Sequence, residues 1–108
     1  QVYIGCVSDR NPARGIEIYA ATKAAASNYV EEFGRRYYSA GIRANVLATG
    51  WCESPMTSKI EPSLWAKIVN RIPARRAATT LEVAEMAYSI LDSPDYLSGN
   101  RIEFSGGL

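Results

Sequence analysis

Tyr19 and Lys23 stand four residues apart in the run Tyr19-Ala20-Ala21-Thr22-Lys23-Ala24-Ala25-Ala26. These are strong helix formers, so one helical turn brings the two side chains to the same face. A lysine ammonium beside a phenol favours the phenolate and draws its pKa down from the ordinary value of about 10, which lets a tyrosine exchange protons nearer neutral pH. The pair alone also fits a plain amphipathic surface, because the same spacing recurs in many helices. Thirteen positions before Tyr19 stands Cys6, either a weakly donating active-site thiol or a small buried apolar side chain. Histidine is absent and Cys6 and Cys52 form no C-x-x-C pair, so neither a zinc site nor a disulfide framework has support.

Side chains of this kind need a frame to aim them. Val2, Tyr3 and Ile4 form a β-prone run that ends at Gly5, as in a buried strand of a parallel sheet. Asp9 to Gly15 supplies a loop with Asn-Pro and Gly punctuation, and a long helix is predicted from about Ile18 to Ser39, with Val30, Phe33 and Tyr37 at helical spacing. Gly41 suits a helix C-cap at positive φ, and Ile42 to Ala48 reads as a second strand. Past Gly50 comes a loop, then a short helix over Pro62 to Ile72 with Leu64, Trp65, Ile68 and Val69 inward, stopped by Pro73. Thr80 is the expected N-cap of a third helix, Leu81 to Leu91, and a Ser98-Gly99-Asn100 turn leads to a last strand, Arg101 to Phe104. Alternating strands and helices of these lengths predict an α/β fold on a parallel sheet. Three strands are too few to complete one, so residues 1–108 read as a single partial domain.

The bulk properties exclude several classes. Twelve basic and eleven acidic residues leave a net charge of +1 in 108 residues, too little for a field that would draw nucleic acid or an anionic membrane. Arg71, Arg75 and Arg76 read as a solvated face, since no aromatic interleaving accompanies them. No stretch approaches the ~20 apolar residues of a spanning helix and no secretory signal is visible; with the cysteine usage, a cytoplasmic location is the expectation. Trp51, Met56 and Trp65 are expected to wall a pocket or fill a core.

Several ordered motifs together resemble the short-chain dehydrogenase/reductase family over essentially the whole chain. Ile4-Gly5-Cys6 followed by a Gly-containing loop and Tyr19-Ala20-Ala21-Thr22-Lys23 is similar to the surroundings of that family's active site. Ile42-Arg43-Ala44-Asn45-Val46 with Gly50 and Ser54-Pro55-Met56 resembles its I-R-V-N-x-x-x-P-G and T-x-M segment. Ile72-Pro73, Arg76 and Glu82-Val83-Ala84 resemble the entry to its last helix, and Ser98-Gly99, Ile102 and Gly106-Gly107 its closing strand. The resemblance implies the C-terminal half of a Rossmann-like doubly wound parallel sheet, with a lid region over about 51–78.

It also implies roles. Tyr19 would be general acid/base for a carbonyl or secondary alcohol, and Lys23 would tune it and hold the nicotinamide ribose of NAD or NADP. Cys6 takes the position of the family's serine, which hydrogen-bonds the substrate oxygen; a thiol donates more weakly and should stabilise developing negative charge less well. Ser8 is a reserve candidate if the strand continues past Cys6. Thr49 replaces the usual proline, and Gly50, Trp51, Cys52 and Ser54 would contact the cofactor; an ordinary strand-to-helix connection is the alternative for this loop. The family's glycine-rich phosphate turn, its N-A-G segment and its catalytic asparagine have no counterpart in these residues. The isolated chain is therefore expected not to bind NAD(P) tightly or turn over, and the start at Gln1 within strand-like sequence is read as a cut from something longer. Expected partners are the small carbonyl or alcohol substrate, a second copy through Ala21, Ala25 and Ser27, or an N-terminal half pairing with the strand at Val2 to Ile4. A truncated, non-catalytic interaction or oligomerisation module is the alternative function.

Overall fold

Asn45, Val46, Leu47 and Ala48 are all buried, with no polar residue turned outward between them. Continuous burial of this kind marks a strand covered on both faces, as in parallel sheets packed between helices. The computed structural model describes residues 1–108. It places this run in β2, Asn45–Thr49, at the centre of a three-stranded parallel sheet in the order β1-β2-β3. The flanking strands are β1, Val2–Cys6, and β3, Arg101–Phe104. Register sets Gly5 opposite Ala48 and Ala48 opposite Glu103, so the carboxyl ends of all three strands lie level.

Helix α1, Glu17–Arg36, connects β1 to β2; α2, Pro62–Arg71, and α3, Thr80–Leu91, lie between β2 and β3. Short 3-10 turns follow β1 at Val7–Asp9 and α1 at Tyr38–Ala40, and a third spans Thr57–Lys59. The α1 face of the sheet carries Gly5 and Val46, because a Cβ at Gly5 would lie 3.0 Å from Val46 Cγ1 and 3.3 Å from Ser27 Oγ. Alternation turns Leu47 to the other face, and α3 is the other helix in contact with β1 and β2. Gly34 allows α1 to come this close: a Cβ there would stand 2.3 Å from the Ala44 carbonyl oxygen and 2.7 Å from Gly99 N.

A buried charge cluster locks the α1 face. Arg101 Nε donates to Asp9 Oδ2 at 3.2 Å and Ser27 Oγ donates to the same oxygen at 2.9 Å. The two charged side chains are only 3% and 1% exposed. Burial works against the Asp9 carboxylate, but hydrogen bonds from Arg101 and Ser27 outweigh it and hold the pKa below the ordinary value. The turn after β1 is thereby tied to β3.

Several expected boundaries shift. The second strand begins at Asn45 rather than Ile42, because Ile42 N donates back to Tyr37 O and Ala44 N donates to Ser98 Oγ, so neither joins the ladder. The N-cap of α3 is Thr79, not Thr80: Thr79 Oγ1 accepts from Glu82 N at 3.1 Å while Glu82 accepts from Thr79 N at 2.8 Å, a reciprocal capping box. Gly41 takes φ of 78° as expected. Leu64 faces solvent and none of the residues of α2 is buried, so that helix lies on the molecule rather than in it. No helix is long and apolar enough to cross a membrane.

Candidate active site

The first turn of α1 sits at the carboxyl end of β1, which brings Tyr19 beside Cys6 and one turn from Lys23. Lys23 Nζ lies 5.7 Å from the Tyr19 ring centroid, and the Tyr19 side chain is 48% exposed. The expected drop in the phenol's pKa does not occur. Burial raises it, and the neighbouring Cys6 raises it further; the pull of Lys23 in the opposite direction is outweighed. Tyr19, Lys23 and Cys6 thus share one site, but in this chain the phenol is held protonated above its ordinary range.

Ser8 drops out of the cluster. Its candidacy required the strand to continue with alternating faces, whereas β1 ends at Cys6 and the chain turns into the 3-10 segment that carries Asp9 to Arg101. Ser27 also leaves the expected helix–helix face, because it is buried against the sheet; Ala21 and Ala25 are exposed.

The loop after β2 leaves the sheet beside this site, since Thr49 pairs with Cys6. Thr49 Oγ1 donates to the Gly5 carbonyl at 3.1 Å, so the threonine that replaces a proline fastens the end of β2 to β1. Gly50 N donates to Phe104 O at 2.9 Å, and a Cβ at Gly50 would press on Ser105 Cα at 3.0 Å. Trp51 O accepts from Ala78 N at 3.0 Å and Glu53 N donates to Ala78 O at 2.8 Å. The backbone N–H groups of Trp51 and Cys52 donate to no protein acceptor, which leaves two amide donors for a ligand's carbonyl or amide group. Ser54 is more committed: its N–H donates to Thr57 Oγ1 at 2.9 Å and its hydroxyl lies 3.3 Å from the same oxygen. Burial, then Glu53 and Glu82, push the Cys52 thiol above its usual pKa, which makes it a poor nucleophile.

The segment expected to act as a lid is fixed at both ends. Trp51 meets Trp65 of α2 edge-to-face at 5.9 Å, and Arg76 donates to both carboxylate oxygens of Glu82, at 2.8 and 2.6 Å. Arg76 is therefore a paired anchor on the expected basic face. Met56 is 82% exposed and fills no core. Two participants escaped the sequence reading, Asp9 and Arg101; they lie 92 positions apart and no local pattern joins them.

A level parallel sheet of three strands flanked by helices makes this an α/β protein, and comparison with known proteins narrows this. A family model described as Enoyl-(Acyl carrier protein) reductase matches residues 2–108, and the chain belongs to the short-chain dehydrogenase/reductase family. It is 35% identical over 109 residues to the 3-oxoacyl-[acyl-carrier-protein] reductase MabA of Mycobacterium avium, covering 99% of this chain and 42% of that protein. It is 31% identical over 108 residues to the corresponding reductase FabG of Escherichia coli, covering 99% of this chain and 44% of that one. A 3-oxoacyl-(acyl-carrier-protein) reductase structure from Agrobacterium tumefaciens C58 with NADP bound superposes with a TM-score of 0.88 at 26% identity, over 99% of this chain and 43% of that one. The chain thus spans less than half the length of the relatives it matches.

Proposed function

We propose that this chain supplies the proton-transfer part of an NAD(P)-dependent oxidoreductase that moves a hydride between a nicotinamide and a carbonyl or secondary alcohol. The observation that carries the reading is the convergence of Tyr19, Lys23 and Cys6 at the carboxyl end of β1, with two free amides in the loop that leaves the adjacent end of β2. When bound, the reduced cofactor supplies a hydride to the carbonyl carbon. Tyr19 then gives its proton to the carbonyl oxygen as that oxygen gains charge, and takes one back in the reverse direction. Lys23 favours the phenolate left behind and is placed to reach a ribose hydroxyl. Cys6 stands where the substrate oxygen would be hydrogen-bonded, as the weaker donor. Gly50, Trp51, Cys52 and Ser54 would receive the nicotinamide end, with the amides of Trp51 and Cys52 as the open donors. The segment 51–78 serves as the lid.

The relatives named above are reductases of 3-oxoacyl groups on acyl carrier protein, which makes an acetoacetyl thioester the first substrate to try. NADP is the first cofactor to try, as it is the one bound in the Agrobacterium tumefaciens reductase structure named above. Most cofactor contacts are expected to come from a nucleotide-binding half that pairs with β1. That strand is bonded on one side only and its Ile4 is 45% exposed, so its open edge is a site for such an addition or for a second copy. Titration calorimetry of the chain alone with NADPH should give no binding at micromolar concentration, and a chain completed with a nucleotide-binding half should oxidise NADPH against acetoacetyl thioester. Micromolar affinity for the chain alone refutes the division of labour. A completed, NADPH-binding protein with no turnover on any carbonyl favours the second reading, a non-catalytic association module; the raised pKa of Tyr19 is the observation on that side.

A further inference from the structure

Lys23 does not face Tyr19 alone. Its Nζ lies 5.7 Å from the Tyr19 ring centroid and 5.8 Å from that of Tyr3, each within the range at which an aromatic ring attracts a cation. Tyr3 belongs to β1, the strand that also delivers Cys6, and pairs with Val46. Alternation puts it on the same face as Gly5, beneath α1. The ring rests against that glycine: a Cβ at Gly5 would lie 3.5 Å from Tyr3 Cε1 and 3.3 Å from Ser27 Oγ. The strand thus makes room for an aromatic ring under the helix, within reach of the Lys23 ammonium. A lysine has four freely turning bonds and loses much rotamer freedom when its head is held in one place. One ring leaves the ammonium free to swing outward; a second ring at equal distance restricts that swing.

We propose that Tyr3 is a positioning residue of this site, whose ring holds the Lys23 ammonium against Tyr19. Its consequence for catalysis rests on the reading of Tyr19 and Lys23 given above; the holding itself is a property of this chain. The contact uses the ring face and not the hydroxyl, so phenylalanine should replace Tyr3 and an aliphatic residue should not.

Side-chain proton resonances of Lys23 in this chain report the holding directly, since ring faces displace them upfield. Wild type and Tyr3→Phe should show the same displacement, and Tyr3→Leu should retain about half of it, the share of the one remaining ring. Lys23 resonances at unshifted positions in the wild type overturn the proposal with no variant needed. A displacement unchanged in Tyr3→Leu, or lost equally in Tyr3→Phe, overturns it as well. In a completed enzyme, Tyr3→Leu should lower kcat by about twofold to fivefold with substrate KM unchanged, and Tyr3→Phe should match wild type. A Tyr19→Phe enzyme that still turns over would remove the catalytic reading while leaving the resonance result to stand or fall separately.

Discussion

The centre of the sheet and its edge are built on opposite terms. Around β2, Val46, Leu47 and Ala48 are fully buried, Gly34 lets α1 approach, and the Asp9–Arg101 pair closes the α1 face. At the end of β1, the residues equipped for chemistry sit at the surface: Tyr19 is half-exposed, β1 has a free edge, and α2 buries none of its residues. The frame around β2 is closed by packing on both faces. The reactive margin is open on the sides where substrate, cofactor or another stretch of protein would lie. A proton-transfer group needs access and tunable surroundings, whereas the strands that aim it need fixed ones, and the sequence distributes its burial accordingly.

Breaking the frame should cost far more than altering the margin. Replacing Arg101 with Met leaves the Asp9 carboxylate buried without its partner and should lower stability by about 3–5 kcal/mol, read from the urea midpoint. Tyr19→Phe, on the margin, should stay within about 0.5 kcal/mol. Equal losses in the two variants would erase the contrast. The next effect belongs to chemistry: Cys6→Ser removes a neighbour that raises the Tyr19 pKa, so the phenol should titrate at lower pH by phenolate absorbance. The stronger donor should also raise turnover of a completed enzyme by about tenfold. An upward move of the titration contradicts the assigned role of the thiol.

The smallest expected effect is at the anchor of the 51–78 segment. Hydrogen bonds from Arg76 and then from Thr79 lower the Glu82 pKa from 4.5 to about 2. A carboxylate depressed on folding contributes stability that is fully present above its unfolded pKa and lost as pH falls through the folded one. The thermal midpoint of wild type should therefore fall between pH 4.5 and about 2 by more than that of Glu82→Gln. Parallel acid profiles would show that the pair does not hold this end of the segment.

Local signals were legible where one physical rule acted alone. Pro62 marks the first residue of α2, and the short β-prone run Arg101–Phe104 matches β3 at both ends. Tyr19 and Lys23 were readable because four residues make one helical turn. The N-cap of α3 was open to closer reading, since Thr79-x-x-Glu82 fits a capping box and Thr80 does not. What was not legible depends on distance in sequence: Asp9, in the turn after β1, meets Arg101, the first residue of β3, only once the sheet has placed the two strands on either side of β2. The net pKa of Tyr19 was missed for a related reason, as spacing shows the lysine and conceals the burial and the thiol that oppose it.

Tyr19→Phe in a completed, NADPH-binding enzyme is the most direct test of the proton-transfer assignment. The phenol's removal should cut kcat by about a hundredfold or more, with NADPH affinity and folding unchanged. Turnover within twofold of wild type would contradict it, because the proton would then be coming from some other group.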